Sequence, residues 1–189
     1  MNTVNFSKIT SREKGYLIGL YIGDGNIFEQ NLNGIYRLRY FLGLNEKLIQ
    51  EKIIKILSKL HKNMNIRRYT RDNTCIIEVH SKQLINFIKN TCTKDGIKKM
   101  KVPLEFKKGV IEGLIDSDGY VQRNYVEITT SNNKLKENII NMLIDFHLKI
   151  NVRNFVSPIS KRVGWRIGFS LKDYIFKPLK WVSVPQTAE

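Results

Sequence analysis

Apolar residues recur at helical spacing in two places half a chain apart. Leu48, Ile49, Ile53, Ile56, Leu57 and Leu60 line one helix face, and Leu135, Ile139, Met142, Leu143 and Phe146 repeat the pattern. Alternation of period two marks half-buried strands. In Ile35–Leu42 one face carries Tyr36, Leu38, Tyr40 and Leu42, and the other carries Arg37 and Arg39. Asn65-Ile66-Arg67 is echoed by Asn151-Val152-Arg153, and a further strand follows each, Cys75–His80 and Gly164–Ser170. Each half therefore predicts helix, two strands, helix, two strands, helix. The fold class is α+β, a tandem pseudo-twofold repeat of αββαββα units with two antiparallel sheets. Thr91–Gly96 is turn-rich, and Pro103 disfavours helix at Val102. The organisation predicted is a first half-domain over 1–94, a linker over 95–107, a second half-domain over 108–180, and a fraying tail over 181–189.

The strongest internal match is between Tyr16-Leu17-Ile18-Gly19-Leu20-Tyr21-Ile22-Gly23-Asp24-Gly25 and Val110-Ile111-Glu112-Gly113-Leu114-Ile115-Asp116-Ser117-Asp118-Gly119. As helices, these place Gly15, Gly19 and Gly23 on one stripe and Gly109, Gly113 and Ser117 on another. Glycine costs about 1 kcal/mol per helical position relative to alanine. Close approach of two helix backbones is the steric return, so the two motif helices are expected to pack against each other. Leu17, Leu20 and Tyr21, like Ile111, Leu114 and Ile115, then face the core of their own half. Gly25 and Gly119 suit helix ends, which sets Asp24 and Asp118 at the negative pole of each helix dipole. Two carboxylates brought together there repel each other. A divalent cation between them, Mg²⁺ by its preference for hard oxygen ligands, would resolve the conflict. Asp116 stands opposite Ile22 in the repeat, outside the symmetric pair, and reads as an inter-helix polar contact.

Charge adds a partner. The chain has 189 residues, with 32 Lys+Arg against 17 Asp+Glu, a net charge of +15. Such an excess favours a polyanion, because clustered cations release counterions from a phosphate backbone. No apolar run is long enough to span a membrane, and no secretory signal pattern is visible. Cys75 and Cys92, with His61, His80 and His147, lack zinc-site spacing. Phosphate-binding and serine-hydrolase glycine motifs are absent from the sequence. An intracellular setting is expected, a prokaryotic cytoplasm or an organelle matrix.

At these residues the sequence resembles the LAGLIDADG homing endonucleases, in the single-chain form carrying two motifs. Leu17–Gly25 matches the nine-letter pattern at Leu, Gly, Leu, Asp and Gly, and Ile111–Gly119 at Gly, Leu, Ile, Asp, Asp and Gly. The resemblance implies a monomer that cuts both strands of a long, roughly palindromic DNA site, leaving short 3′ overhangs. It implies Mg²⁺, with Mn²⁺ as a substitute, and Asp24 and Asp118 as metal-binding catalytic acids. The carbonyls of Gly23 and Ser117 become additional metal contacts. The sheets would form a DNA-binding saddle with the motif helices at its interface. Its footprint would include Arg37, Arg39, Arg67, Arg71, Gln122, Arg123, Arg153, Lys161 and Arg166. The family often carries lysine or glutamine at the end of each half's second strand, where this chain has Gly43-Leu44 and Thr130-Ser131. Lys47 and Lys134, with Arg123, are the candidates for that supporting role. Two alternatives stay open at this point: an RNA maturase that assists intron splicing, and a catalytically silent DNA-binding protein.

Overall fold

The computed structural model describes residues 3–156, 161–171 and 176–182. The first half runs α1 (Ser11–Asp24), β1 (Gly25–Gln30), β2 (Ile35–Gly43), α2 (Lys47–Leu60), β3 (Ile66–Arg71), β4 (Thr74–His80) and α3 (Lys82–Thr91). A short hairpin follows, β5 (Cys92–Thr93) and β6 (Gly96–Ile97). The second half runs α4 (Leu104–Asp118), β7 (Gly119–Gln122), β8 (Tyr125–Thr130), α5 (Asn133–Ile144), β9 (Asn151–Val156), β10 (Val163–Ser170) and α6 (Leu179–Val182). The two larger sheets are four-stranded, with orders β1-β2-β4-β3 and β7-β8-β10-β9, and every pairing is antiparallel. Equivalent strands take equivalent places, so the repeat in the sequence is a repeat in topology.

Two local details depart from the sequence reading. Helix α4 begins at Leu104, inside the stretch assigned to the linker, because Pro103 adopts φ −55° and serves as its N-cap. A proline lacks the amide hydrogen that a helix start leaves unpaired anyway. The turn-rich segment before it closes into the β5–β6 hairpin, with Gly96 at φ +117°. The tail expected over 181–189 lies outside the described residues beyond Val182, where α6 ends.

Each half buries its sheet under its helices. Leu38, Tyr40 and Leu42 of β2 meet Ile49, Ile53, Ile56, Leu57 and Leu60 of α2, all nearly inaccessible. Across the repeat, Val126, Ile128, Ile167 and Phe169 meet Leu135, Ile139, Met142 and Leu143. Each such side chain contributes about 1.5–3 kcal/mol when fully buried. The starts of α1, α3 and α5 are fixed by side-chain caps. Thr10 and Glu13 form a reciprocal capping box on α1, and Ser81 and Asn132 cap α3 and α5.

The halves join through α1 and α4, and the small-residue stripes are the seam. A Cβ on Gly15 would lie 2.1 Å from the Phe106 carbonyl oxygen, and one on Gly19 would lie 2.1 Å from that of Val110. From the other side, a Cβ on Gly109 would meet the Arg12 carbonyl oxygen at 2.0 Å. Only hydrogen fits at these positions, so backbone lies directly on backbone. The stripe thereby brings the two helix ends, and their aspartates, together.

Candidate metal centre and nucleic-acid interface

The helix ends abut at Gly23 and Ser117. A Cβ on Gly23 would lie 2.1 Å from Ser117 Oγ and 2.9 Å from Asp118 Oδ2, which sets the Asp118 carboxylate beside the residue preceding Asp24. Asp24 is half-buried and Asp118 reaches solvent. Burial pushes the Asp24 carboxyl up to about 6, and the charges of Asp118 and then Glu46 push the same way. Partial desolvation in the crevice raises Asp118 as well, with Lys180 and Lys94 pulling it back. Burial is the first cause of both shifts, and at Asp24 the neighbouring acids add to it.

Two lysines answer that charge, and neither follows from the sequence pattern. Lys94, in the turn of the β5–β6 hairpin, donates to the carbonyls at the end of α1: Tyr21, Ile22 at 3.1 Å and Gly23 at 3.2 Å. Burial lowers its ammonium, against the opposing pull of Asp118 and Asp24. Lys180, in α6, donates to the Ser117 carbonyl at the end of α4, at 2.9 Å. Each helix end therefore carries an ammonium against its negative pole.

The donors fit a hard divalent cation. Among the described residues, no cluster of three or more His, Cys, Asp and Glu side chains gathers that could hold a metal on its own. Two carboxylates, with carbonyl, water and phosphate oxygens completing the shell, is a coordination habit of Mg²⁺. Burial and the neighbouring negative charges that raise Asp24 are what such a cation would offset. The carbonyls of Gly23 and Ser117 now accept from Lys94 and Lys180, and each retains a second lone pair.

Neither expected supporting lysine is paired with Asp24 or Asp118 among the described residues. Lys47 is exposed at the start of α2, and Lys134, 81% exposed, lies 3.8 Å from Asp95. Arg123 sits in the β7–β8 turn, at φ 52° and exposed. At the end of β2, the Gly43 amide donates to Glu46 at 2.7 Å, and Gln50 donates to the Gly43 carbonyl at 2.8 Å. The place of a family lysine or glutamine is thus filled by a local turn, with Glu46 3.9 Å from Lys180.

The outer faces of the sheets carry the predicted basic residues with more partners than alternation reveals. Arg39, Glu78 and Arg67 lie in one row across β2, β4 and β3. Arg39 donates to Glu78 at 2.6 Å, and His80 lies 2.7 Å from the other carboxylate oxygen. Burial opposes the charge of Glu78, but hydrogen bonds from His80 and Arg39 outweigh it and lower its carboxyl below the usual range. In the second sheet Glu127 lies 3.3 Å from Arg153 and 3.6 Å from Arg166. Arg39, Arg153 and Arg166 are therefore held side chains rather than open ones. Arg37 stacks 5.9 Å above the Phe28 ring, and its buried Nε has no hydrogen-bond partner among the described residues. Arg67, Arg71, Gln122 and Lys161 are exposed, with Arg71 3.3 Å from Asp72.

Comparison with known proteins agrees with this architecture. The LAGLIDADG-like domain family matches residues 105–172. An uncharacterized protein of Methanocaldococcus jannaschii is 28% identical over 147 residues, covering 75% of this chain and 52% of that protein, so the chain spans about half the length of this relative. The homing endonuclease I-DmoI in complex with DNA and calcium superposes with a TM-score of 0.69 at 20% identity, over 87% of this chain and 86% of that one. The homing endonuclease I-WcaI bound to its DNA recognition sequence gives 0.61 at 14% identity, over 100% and 90%. Residues 105–172 match the LAGLIDADG-like domain family, and the described residues share the fold of the LAGLIDADG homing endonucleases.

Proposed function

We propose that the chain is a site-specific double-strand DNA endonuclease that acts as a monomer with a divalent metal, Mg²⁺ or Mn²⁺. The observation that carries this reading is the meeting of Asp24 and Asp118 at abutting helix ends, between two sheets of identical topology and outward basic residues. Structures of I-DmoI with DNA include calcium and manganese, in keeping with a divalent ion. Asp24 and Asp118 would hold the metal, with the Gly23 and Ser117 carbonyls as further ligands. Once bound, it supplies an activated water, a polarised phosphate and a stabilised leaving oxygen.

The chain's own residues do the rest. Lys94 and Lys180 set positive charge beside the two scissile phosphates, one for each strand. The two sheets each follow about one turn of duplex, roughly 10.5 base pairs, so the target is about twenty base pairs long. Exposed Arg67, Arg71 and Gln122 are the side chains best able to meet base edges. Glu78 and Glu127 hold neighbouring arginines in fixed orientations.

Cleavage of a randomised duplex library tests the reading. With Mg²⁺, cutting is expected at one long, nearly palindromic site, and end sequencing is expected to give short 3′ overhangs. Selection of a site without cutting, in Mg²⁺ or Mn²⁺, would replace the endonuclease reading with that of a silent DNA binder.

A further inference from the structure

The second motif helix carries two buried acids that the first lacks. Glu112 and Asp116 are 2% and 0% exposed, in register with Ile18 and Ile22 of α1. Each makes a bond to α1 across the seam, but the close backbone approach of the helices needs only small residues and does not call for an acid at either position. Asp116 Oδ2 accepts the Tyr16 hydroxyl at 2.8 Å across the seam. Its Oδ1 accepts the Lys180 backbone amide at 2.9 Å, and the Leu179 amide also donates to this carboxylate. Glu112 accepts the Lys177 amide at 2.5 Å, and Arg12 of α1 closes on the same carboxylate through two nitrogens. The two acids lie one helical turn apart and bind backbone, not side chain, at both ends of the stretch 177–180.

That stretch is what delivers Lys180. Its backbone amide is tied to Asp116, and its ammonium reaches the carbonyl of the next residue of α4, Ser117. We propose that Asp116 and Glu112 are positioning residues that clasp segment 177–180 to α4 and thereby fix the Lys180 ammonium at the candidate metal centre. The clasp rests on the endonuclease reading for its purpose, but its structural content is independent of it. A carboxylate suits the task because its two oxygens accept several N–H and O–H donors at once, which no apolar residue at these positions could do.

The test uses the full chain with three substitutions, Asp116→Ile, Asp116→Asn and Lys180→Met. Hydrogen exchange is read at the amides of 177–182, without DNA or metal. Asp116→Ile is expected to raise exchange there at least tenfold while the middle of α4 stays protected; unchanged protection at 177–182 would overturn the clasp. On the DNA site selected above, Asp116→Ile is expected to slow cutting as much as Lys180→Met does. The double substitution should be no slower than Lys180→Met alone, and binding measured in Ca²⁺ should stay within threefold of the parent. Losses that multiply in the double substitution would overturn the link from clasp to lysine.

Asp116→Asn keeps an oxygen for the amides of Leu179 and Lys180, so it is expected to restore protection and at least a third of the parent rate. If Asp116→Ile does not fold, Asp116→Asn decides: loss of protection or of cutting with the fold intact would contradict the proposal. A parent that does not cut DNA removes the endonuclease reading, whereas the exchange result still stands or falls by itself.

Discussion

In the first half, Lys94 reaches the end of α1 from a tight hairpin turn; in the second, Lys180 reaches the end of α4 from a returning segment near the C-terminus. The hairpin is gripped by the opposite half: Asn138 of α5 bonds both the amide and the carbonyl of Ile97, and Asn132 donates to Asp95 at 2.7 Å. The returning segment is gripped by its own motif helix through Asp116 and Glu112. Two helix ends related by repetition thus receive equivalent charges through unlike supports. Duplication fixed the geometry of the helices and sheets, while each half found its own way to place an ammonium at a negative helix pole. The difference locates where the halves are interchangeable, at the aspartates and glycines, and where they are not.

The sharpest way to break the equivalence is at the aspartates. Asp24→Asn and Asp118→Asn should each reduce double-strand cutting by roughly 10³-fold while leaving DNA binding in Ca²⁺ intact. Gel shift and cleavage assays on the selected site would check this. Retention of the parent rate by either variant would mean that the two halves do not share a centre. Next in size is the seam. Gly19→Val drives a side chain into the Val110 carbonyl and is expected to cost about 3 kcal/mol or more, read as a lower urea midpoint. Gly113→Val, facing the Tyr16 carbonyl, should cost a comparable amount, because the stripes are reciprocal.

The lysines give a smaller effect and a finer comparison. Lys94→Met and Lys180→Met should each slow cutting by about 10–100-fold with little change in affinity. Unequal loss, resolved strand by strand on an end-labelled duplex, would show which support holds its lysine more firmly. The smallest effect concerns pH. Because Asp24 is raised to about 6 in the folded chain, the folded state binds more protons than the unfolded one between about pH 4 and 6. Metal-free stability therefore falls as pH rises through that window. Asp24→Asn removes the penalty and should raise the melting temperature by several degrees, about 5 °C or more, at pH 7.5, with no gain at pH 4. Circular dichroism melts at the two pH values would decide.

The seam was legible because its signal is local and periodic: a small residue every four positions, then Asp-Gly, twice over. The strand faces were legible too, since Leu38, Tyr40 and Leu42 fall inward and Arg37 and Arg39 outward by alternation alone. Alternation says nothing of partners, and so it missed that Arg39 is bound to Glu78. A signal did exist, for Glu78 stands between Ile77 and Val79 and must share the outward face with the arginines. Lys94 and Lys180 left no comparable trace. Their positions depend on a hairpin closed by Gly96 and on a segment that folds back from the second sheet, and neither has a period. Proximity along the chain pointed instead to Lys47 and Lys134, which follow the strand ends in sequence but are exposed and make no ion pair with either aspartate among the described residues. Asp116 was recognisable as the odd member of the repeat, and its bond to Tyr16 is the inter-helix contact expected. Its hold on Lys180 lay beyond what one helix's pattern can express.

The most direct test of the shared centre is an anomalous difference map from crystals of the chain with its selected DNA and Mn²⁺. The account predicts metal density within about 2.0–2.4 Å of carboxylate oxygens from both Asp24 and Asp118. Metal bound elsewhere, or bound to one aspartate without the other, would contradict it.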